Sequence, residues 1–562
     1  MTQNKKQFND RPNKPYAQPS NAKDTNPLRG KKRLTQLLAL IVVAITLLGY
    51  FSWFTYPKQS FEAIDGATPE IKPFVQMSNP VQVWEIAEYD KYQSRQTTRD
   101  NLAAELANHW GTSVYARDVD AWMGRMKIYT NSLDLFGYLI YIPVPGWLKL
   151  AWEPFGEIGA LLAIATYIAL RKVAGENPGI EKVHCLILFL FFLIVYLTTI
   201  SAHTTITGDQ YTYVAMTRHL VEDHSLILTE DRGPAHISLG ADGNYYPKYP
   251  PGFPLLAAPL FILYGTSGCY FLSAIVSAGV IPILYKLCRL CGSSQNAALL
   301  TGEIYGISSL NWVYARTTFV EGLLTFLAIA GVYLVVLSAV KANYGLSALA
   351  GVPIGYIALV KTVMVVICLP LIVYLLAKRR LKNCAAFICI LALFAGSLML
   401  YNAKIYGDPL ISGYQVNAGS IWNPVLPPFN ELEPPYGWSV PFYIGLKGLL
   451  VDVQHGLFTF SPILLLAIAG FPYMRRQRLE APLLFFAFLS VVLLNMSWWC
   501  WDGGLSFGAR LIHPFDVFLA VPLATLLHRH GGNPAVRAVT TFLFAVSFVF
   551  IATGALTQNL WT

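Results

Sequence analysis

Charged residues are scarce in this chain: about an eighth of its 562 residues carry charge, while more than half are hydrophobic. A soluble domain carries about a quarter charged residues, so an ordinary water-soluble globular fold is excluded. Acids are almost missing from the apolar blocks, with Glu303 and Asp516 the main exceptions, both near block ends. Pumps and carriers place ionisable groups within their spans near the midplane; the chain shows neither that pattern nor an internal repeat. The eight cysteines lie mostly inside apolar blocks and form no disulfide framework. Cys288 and Cys291 make a lone CxxC pair with no second pair and no nearby histidine, which reads as packing at a helix end rather than as a zinc or redox site.

What is abundant is apolar sequence in blocks of about 17 to 22 residues, the length that spans a bilayer core. The pattern predicts an all-α polytopic membrane protein with about thirteen spans, at 34–54, 153–171, 184–203, 268–286, 295–312, 320–340, 343–360, 362–378, 383–401, 457–474, 481–499, 511–528 and 537–557. The net charge of +9 largely reflects the first 33 residues, which hold nine Lys and Arg. With their Asn, Gln and Pro content they read as a disordered basic tail beside anionic lipid. No aromatic or glycine pattern supports a nucleic-acid arm. The first apolar segment lacks a small-residue cleavage site and reads as a retained anchor.

Lys and Arg gather in short cytoplasmic loops. A cytoplasmic N-terminus puts Arg171-Lys172, Lys286 to Arg289, Lys378-Arg379-Arg380, Arg475-Arg476-Gln477-Arg478 and Arg529 inside. Three parts follow: the tail (1–33), an anchor with an outer-face subdomain at about 55–150 and a second span (34–183), and a transmembrane core (184–562). Within the subdomain, Val81 to Trp110 is partly helical in pattern, and Tyr138 to Trp147 reads as an interfacial piece. Large loops at 203–267 and 402–456 lie on the outer side only, so the working surface is expected there.

The first of those loops holds the chemistry-bearing residues. Asp209 directly follows a span in a Gly-Asp turn, with Tyr211, Tyr213 and an amphipathic stretch from Val214 to Leu228 behind it. Lys248 and Tyr249 precede Pro250-Pro251-Gly252; the prolines stiffen the approach to the next helix, so the lysine is held at the interface. A carboxylate that can take a proton and an ammonium that can meet a phosphate suggest chemistry on a lipid-linked substrate.

An acid just past a span, a strip ending His224-Ser225-Leu226-Ile227-Leu228 and an aromatic-Pro-Lys-x-Pro-Pro-Gly approach to a helix resemble the GT-C membrane glycosyltransferases, above all bacterial relatives of protein O-mannosyltransferases and the aminoarabinose transferase of lipid A. Further matches recur in order. They are Asn311 to Arg316 before Glu321-Gly322, Ala358 to Thr362, Asn402 with Ile405 to Pro409, Gly413-Tyr414, His455 to Pro462, Trp498 to Gly504 and Phe507 to Arg510. The similarity covers about 184 to 530.

The resemblance implies a GT-C-like bundle that moves a sugar from a polyprenyl-phosphate carrier to an acceptor hydroxyl on a glycan, lipid or protein, with inversion. In that reading Asp209 is the general base, and Lys248, Arg316, Lys361 and Arg510 meet the donor phosphate. Tyr213, Tyr249, Glu321, His455, Trp501 and Asp502 are candidate substrate contacts, and Glu321 is equally a partner for Arg316. Asp209 is followed by Gln210 rather than by a second acid, which points to a single base with no cofactor and no dedicated metal ligands, and leaves a divalent ion open. The expected place is a bacterial inner membrane, multi-pass, with the site on the periplasmic side. The competing reading is a non-enzymatic transporter or flippase that holds a lipid-linked sugar with the same charges. A third is a structural partner in an envelope assembly that works through the 55–150 segment.

Overall fold

A computed structural model describes residues 83–94, 96–110, 181–200, 208–228, 236–416, 438–474, 477–504 and 506–556, with scattered positions between 119 and 140. The basic tail and the expected spans at 34–54 and 153–171 lie outside the described residues.

Within the expected subdomain, helices α1 (Val83–Gln93) and α2 (Arg99–Trp110) have a small core of their own. Trp122 is buried there with Tyr89, Leu102 and Leu106, and its Nε1 donates to Glu85 at 3.0 Å. A short antiparallel hairpin follows, β1 (Leu133–Leu135) and β2 (Tyr138–Ile140).

The core begins with α3 (Glu181–Thr199), α4 (Gly208–Glu222), the hairpin β3 (Ile237–Leu239) and β4 (Tyr245–Pro247), and α5 (Gly252–Tyr264). It continues with α6 (Thr266–Leu290), α7 (Gln295–Ser308), α8 (Leu310–Ala315), α9 (Glu321–Lys341), α10 (Tyr344–Val360), α11 (Cys368–Ala377) and α12 (Leu381–Tyr406). The remaining helices are α13 (Phe442–Val451), α14 (Leu457–Phe460), α15 (Leu466–Gly470), α16 (Glu480–Asn495), α17 (His513–His530) and α18 (Pro534–Leu556).

Among the described residues, Thr266–Leu290, Glu321–Lys341, Leu381–Tyr406 and Pro534–Ala555 are long and apolar enough to cross a bilayer. Other expected spans appear as shorter apolar helices, so the expected count of about thirteen is met only in part. Local sequence explains several shortfalls. The expected span at 295–312 breaks at Ser309, whose extended backbone ends α7 and whose Oγ caps the Asn311 N–H that opens α8. The expected span at 457–474 is a series of short helical pieces interrupted at Ser461-Pro462 and at Pro472, where proline cannot donate to the helical ladder. The segment after Lys361 starts as a tight 3₁₀ turn, Thr362–Ile367, before α11.

Two helices form the centre and two the rim. The apolar stretches of α6 and α9 are 78% and 67% buried, whereas those of α12 and α18 are 17% buried each and turn Leu393, Leu400, Phe542 and Val549 outward. Such exposed apolar faces suit lipid contact. Without water to drive association, membrane helices gain from close backbone approach at small residues. Gly351 and Gly355 of α10 provide it: an added Cβ would sit 2.7 Å from Ile390 and 2.5 Å from Phe394 of α12. At its other end α10 meets α5, where a Cβ on Gly252 would lie 2.5 Å from the Leu359 carbonyl and Tyr356 Oη donates to the Gly252 carbonyl at 2.8 Å. These contacts bring Lys361 and the segment after Lys248 to the same end of the bundle.

The amphipathic stretch from Val214 to Leu228 is only partly helical, since the helix here starts at Gly208 and ends at Glu222. It does not lie on a surface with one wet face: Thr212, Tyr213, Val214, Ala215, Met216 and Thr217 are all buried. The Leu226 to Leu228 strip is extended and continues the hairpin's edge, with the Leu228 N–H donating to the Tyr245 carbonyl at 2.8 Å.

Candidate active site

Five elements bring charge together at one end of the bundle. Gly208, at φ +52°, turns the chain into α4 and leaves Asp209 in the first turn, where the helix dipole favours a carboxylate. Gln210, at the position where the resemblance raised the question of a second acid, is structural. Its side-chain oxygen accepts the Thr318 N–H at 3.1 Å and its carbonyl accepts from Thr318 Oγ1 at 3.3 Å, tying α4 to the turn before α9. That turn delivers Phe319 and Glu321.

The β3–β4 hairpin delivers Lys248 and Tyr249. Its pairing runs Ile237 to Pro247 and continues with the Lys248 N–H donating to the His236 carbonyl at 3.0 Å, so His236 and Lys248 lie opposite each other. The turn at 412–416 clamps the hairpin: Ser238 Oγ donates to the Gly413 carbonyl at 2.5 Å, and a Cβ on Gly413 would lie 2.6 Å from the Lys248 carbonyl. Arg510 comes from the loop before α17, which turns through left-handed glycines at 503, 504 and 508. Tyr314 Oη holds that loop by donating to the Phe507 carbonyl at 2.8 Å.

The result is a chain of alternating charge. Arg510 Nη2 donates to Asp209 Oδ2, and Arg510 Nε donates to Glu321 Oε1 at 3.0 Å. Lys361 Nζ lies 3.6 Å from the same Glu321 oxygen. Glu321 is fully buried, and its second oxygen has no partner among the described residues. The Arg510 guanidinium also stacks 3.9 Å from the Phe319 ring centre. Asp209 Oδ1 accepts from Tyr249 Oη. Lys248 differs from the other cations: its Nζ sits 5.1 Å and 5.7 Å from the ring centres of Tyr249 and Tyr414, and no carboxylate among the described residues bridges it. Tyr213 supports Tyr249 from behind, ring centre to ring centre 4.9 Å.

Burial works to raise the Asp209 pKa, but Arg510, Lys248 and the hydrogen bonds from Tyr249 and Arg510 outweigh it and hold the carboxyl well below the usual range. Burial, with Arg510 adding to it, lowers the Lys248 pKa against the pull of Asp209. His236 is pushed down to about 4 by burial and by Lys248 and Arg510, against Asp209.

The structure thus joins Asp209, Lys248, Tyr249, Glu321, Lys361 and Arg510, with Tyr213 packed beneath. Arg316 stands apart. Its guanidinium is buried and donates to the Ala555 carbonyl of α18, so the partner of Glu321 is Arg510 with Lys361, not Arg316. Trp501 and Asp502 reach the cluster through their turn, because Arg510 Nη1 contacts the Gly503 carbonyl at 3.4 Å. Asp502 itself caps that turn, accepting the Gly504 N–H at 3.0 Å. His455 packs edge-on to Trp501 at 6.3 Å. His236, Phe319 and Tyr414 complete the site without having been assigned a role from sequence.

Among the described residues no three His, Cys, Asp or Glu side chains group as metal ligands. Asp209 and one oxygen of Glu321 are engaged by Arg510, Tyr249 and Lys361, which leaves the second Glu321 oxygen as the one unpartnered carboxylate atom of this pair among the described residues.

An apolar helical bundle with a charged cluster at one end of its helices resembles the GT-C class of membrane glycosyltransferases, as the sequence motifs indicated. Residues 248–401 match the family model for dolichyl-phosphate-mannose-protein mannosyltransferases. No curated protein matches the chain. Solved structures of the oligosaccharyltransferase AglB from Archaeoglobus fulgidus are similar at low identity. One, tethered to an acceptor peptide, is 13% identical with a TM-score of 0.44, covering 68% of this chain and 56% of that one. Another, with an inhibitory peptide and a dolichol-phosphate, is 14% identical with a TM-score of 0.43 over 68% and 55%. A third, with zinc and sulfate, is 14% identical with a TM-score of 0.44 over 66% and 53%. The chain therefore spans little more than half the length of that archaeal enzyme.

Proposed function

We propose that this protein transfers a sugar from a polyprenyl-phosphate-linked donor to an acceptor hydroxyl, with inversion, at the extracytoplasmic membrane face. The observation that carries the reading is the charge balance of the cluster. Asp209 and Glu321 offset Arg510 and Lys361, which leaves Lys248 as one surplus positive charge beside the carboxylate. A lipid-linked sugar phosphodiester brings one negative charge, and a compact ammonium suits it. As the sugar–phosphate bond breaks, charge grows on the leaving phosphate, and fixed cations lower that barrier.

Asp209 then receives the proton of the attacking hydroxyl. Held by Arg510 and Tyr249 it is a weak base, which suits an oxocarbenium-like transition state in which the sugar is already electron-poor and the hydroxyl sheds its proton late. Tyr249 and Tyr414 flank the ammonium and offer faces for the sugar. The extracytoplasmic placement is supported by Arg289 and Arg529, in the last turns of α6 and α17, and by Lys378, Arg379 and Arg380 between α11 and α12, all at the opposite end of the bundle.

Purified protein in nanodiscs, given labelled polyprenyl-phosphate sugars and a panel of lipid, glycan and peptide acceptors, tests the reading. Transfer that falls roughly 100-fold in Lys248→Gln supports it. Lipid-linked sugar moved across vesicles with no covalent product would establish the transporter instead.

A further inference from the structure

We propose that His236 is a positioning residue of this site: as a neutral imidazole it donates from Nδ1 to the Tyr249 hydroxyl and so commits that hydroxyl's only proton to Asp209. The inference rests on the reading of Asp209 as the reacting carboxylate. His236 Nδ1 lies 3.2 Å from Tyr249 Oη and 3.7 Å from Asp209 Oδ1, and Tyr249 Oη donates to Asp209. A phenol has a single proton, and a carboxylate is its stronger acceptor. The remaining contact at the tyrosine oxygen therefore requires an N–H on His236 Nδ1, which fixes the tautomer and leaves Nε2 as a bare lone pair.

The surroundings keep the ring in that state. His236 faces Asp209 from α4, Lys248 and Tyr249 from the hairpin arm, and Arg510 from the loop before α17. Burial, with Lys248 and Arg510, disfavours an imidazolium against the pull of Asp209. Backbone pairing to Lys248 holds the ring's position independently of its own side-chain bonds. The three side chains thus make a directional relay, His236 to Tyr249 to Asp209, in which every proton points toward the carboxylate. Its effect is to hold Asp209 in one rotamer, ionised, beside Lys248. Among the described residues the relay meets the rest of the charge chain at Arg510, which Asp209 shares with Glu321, and has no direct bond to Lys361.

The test combines a spectroscopic and a kinetic arm on the full-length protein in nanodiscs. Imidazole nitrogen NMR, with His236 assigned by comparison with His236→Gln, should show a neutral ring protonated at Nδ1 at pH 7, with that resonance shifting in Tyr249→Phe. A ring protonated at Nε2, an imidazolium, or no response to Tyr249→Phe overturns the proposal. In transfer assays, His236→Leu should lower kcat roughly tenfold with donor KM unchanged, and His236→Gln, which keeps an N–H donor, should recover most of it. Equal losses in Leu and Gln variants, or a loss confined to KM, would contradict it. If the wild type transfers no sugar, the functional reading fails, while the NMR arm still decides the tautomer and the relay.

Discussion

Replacing Arg510 with glutamine strips the shared cation from two carboxylates at once. The two are not equally protected: Glu321 is fully buried, whereas the Asp209 side chain keeps 24% of its exposure and can turn to water. Most of the penalty therefore falls on Glu321, left with Lys361 at 3.6 Å as its only cation among the described residues. Removing one partner of a buried charge pair costs about 3–5 kcal/mol. The Arg510→Gln variant should lose stability of that order, and Arg510→Gln with Glu321→Gln should regain about 2 kcal/mol, the gain from removing the buried carboxylate less the cost of leaving Lys361, whose side chain keeps 16% of its exposure, without its acid. Catalysis should behave differently: transfer should fall about 100-fold or more in the single variant and not return in the double. The assay is a double-mutant cycle on unfolding in mixed micelles, followed by helical circular dichroism and paired with transfer rates. A single-variant loss under about 1 kcal/mol, or strict additivity of the two changes, would refute the view that Arg510 bridges both acids.

Other perturbations separate the roles further. Lys248→Arg should keep more transfer than Lys248→Gln, and neither should change unfolding by more than about 1 kcal/mol, since Lys248 is bridged to no acid among the described residues. Gly448→Ala should lower transfer and thermal stability together, because a Cβ there would lie 2.1 Å from the Trp501 ring; fluorescence of Trp501 in that variant reports the shift. Acid should act through His236 before it acts through Asp209. With the imidazole pKa lowered to about 4, the folded state resists protonation, so stability is unaffected above the ordinary histidine value and is lost progressively as pH falls from about 6.5 toward 4. The stabilisation from Asp209, whose pKa is depressed, persists through that window and is lost only below the ordinary carboxylate value, as pH falls under about 4. Unfolding of His236→Gln should therefore be flatter than wild type between pH 6.5 and 4; an identical slope would contradict it.

Much of the bundle is legible in the sequence because block length and hydropathy are local properties. The breaks within blocks are local too, but subtler: Ser309 ends a helix that apolar character alone carries through, and Pro462 and Pro472 divide another. Asp209 and Lys248 stand out because a polar residue fixed beside apolar runs is conspicuous. Their partner Arg510 lies 301 residues from Asp209, and no periodicity reports a contact of that range. Arg316 shows the opposite failure. It shares the right end of the bundle with Glu321, yet its side chain turns back to a carbonyl of α18, a choice set by packing. His236 sits in Ala235-His236-Ile237-Ser238, a stretch without a charged neighbour, and only the hairpin register that sets it against Lys248 would have exposed it.

The most direct measurement is sugar transfer from labelled polyprenyl-phosphate donors by wild type and by Asp209→Asn, with donor binding followed in parallel. The account predicts turnover by wild type, and loss of transfer with donor binding retained in the variant, because Asp209 takes the proton while Lys248 holds the phosphate. Unchanged transfer by Asp209→Asn would remove the carboxylate from the chemistry, and wild type that binds donor without turnover would contradict the account as a whole.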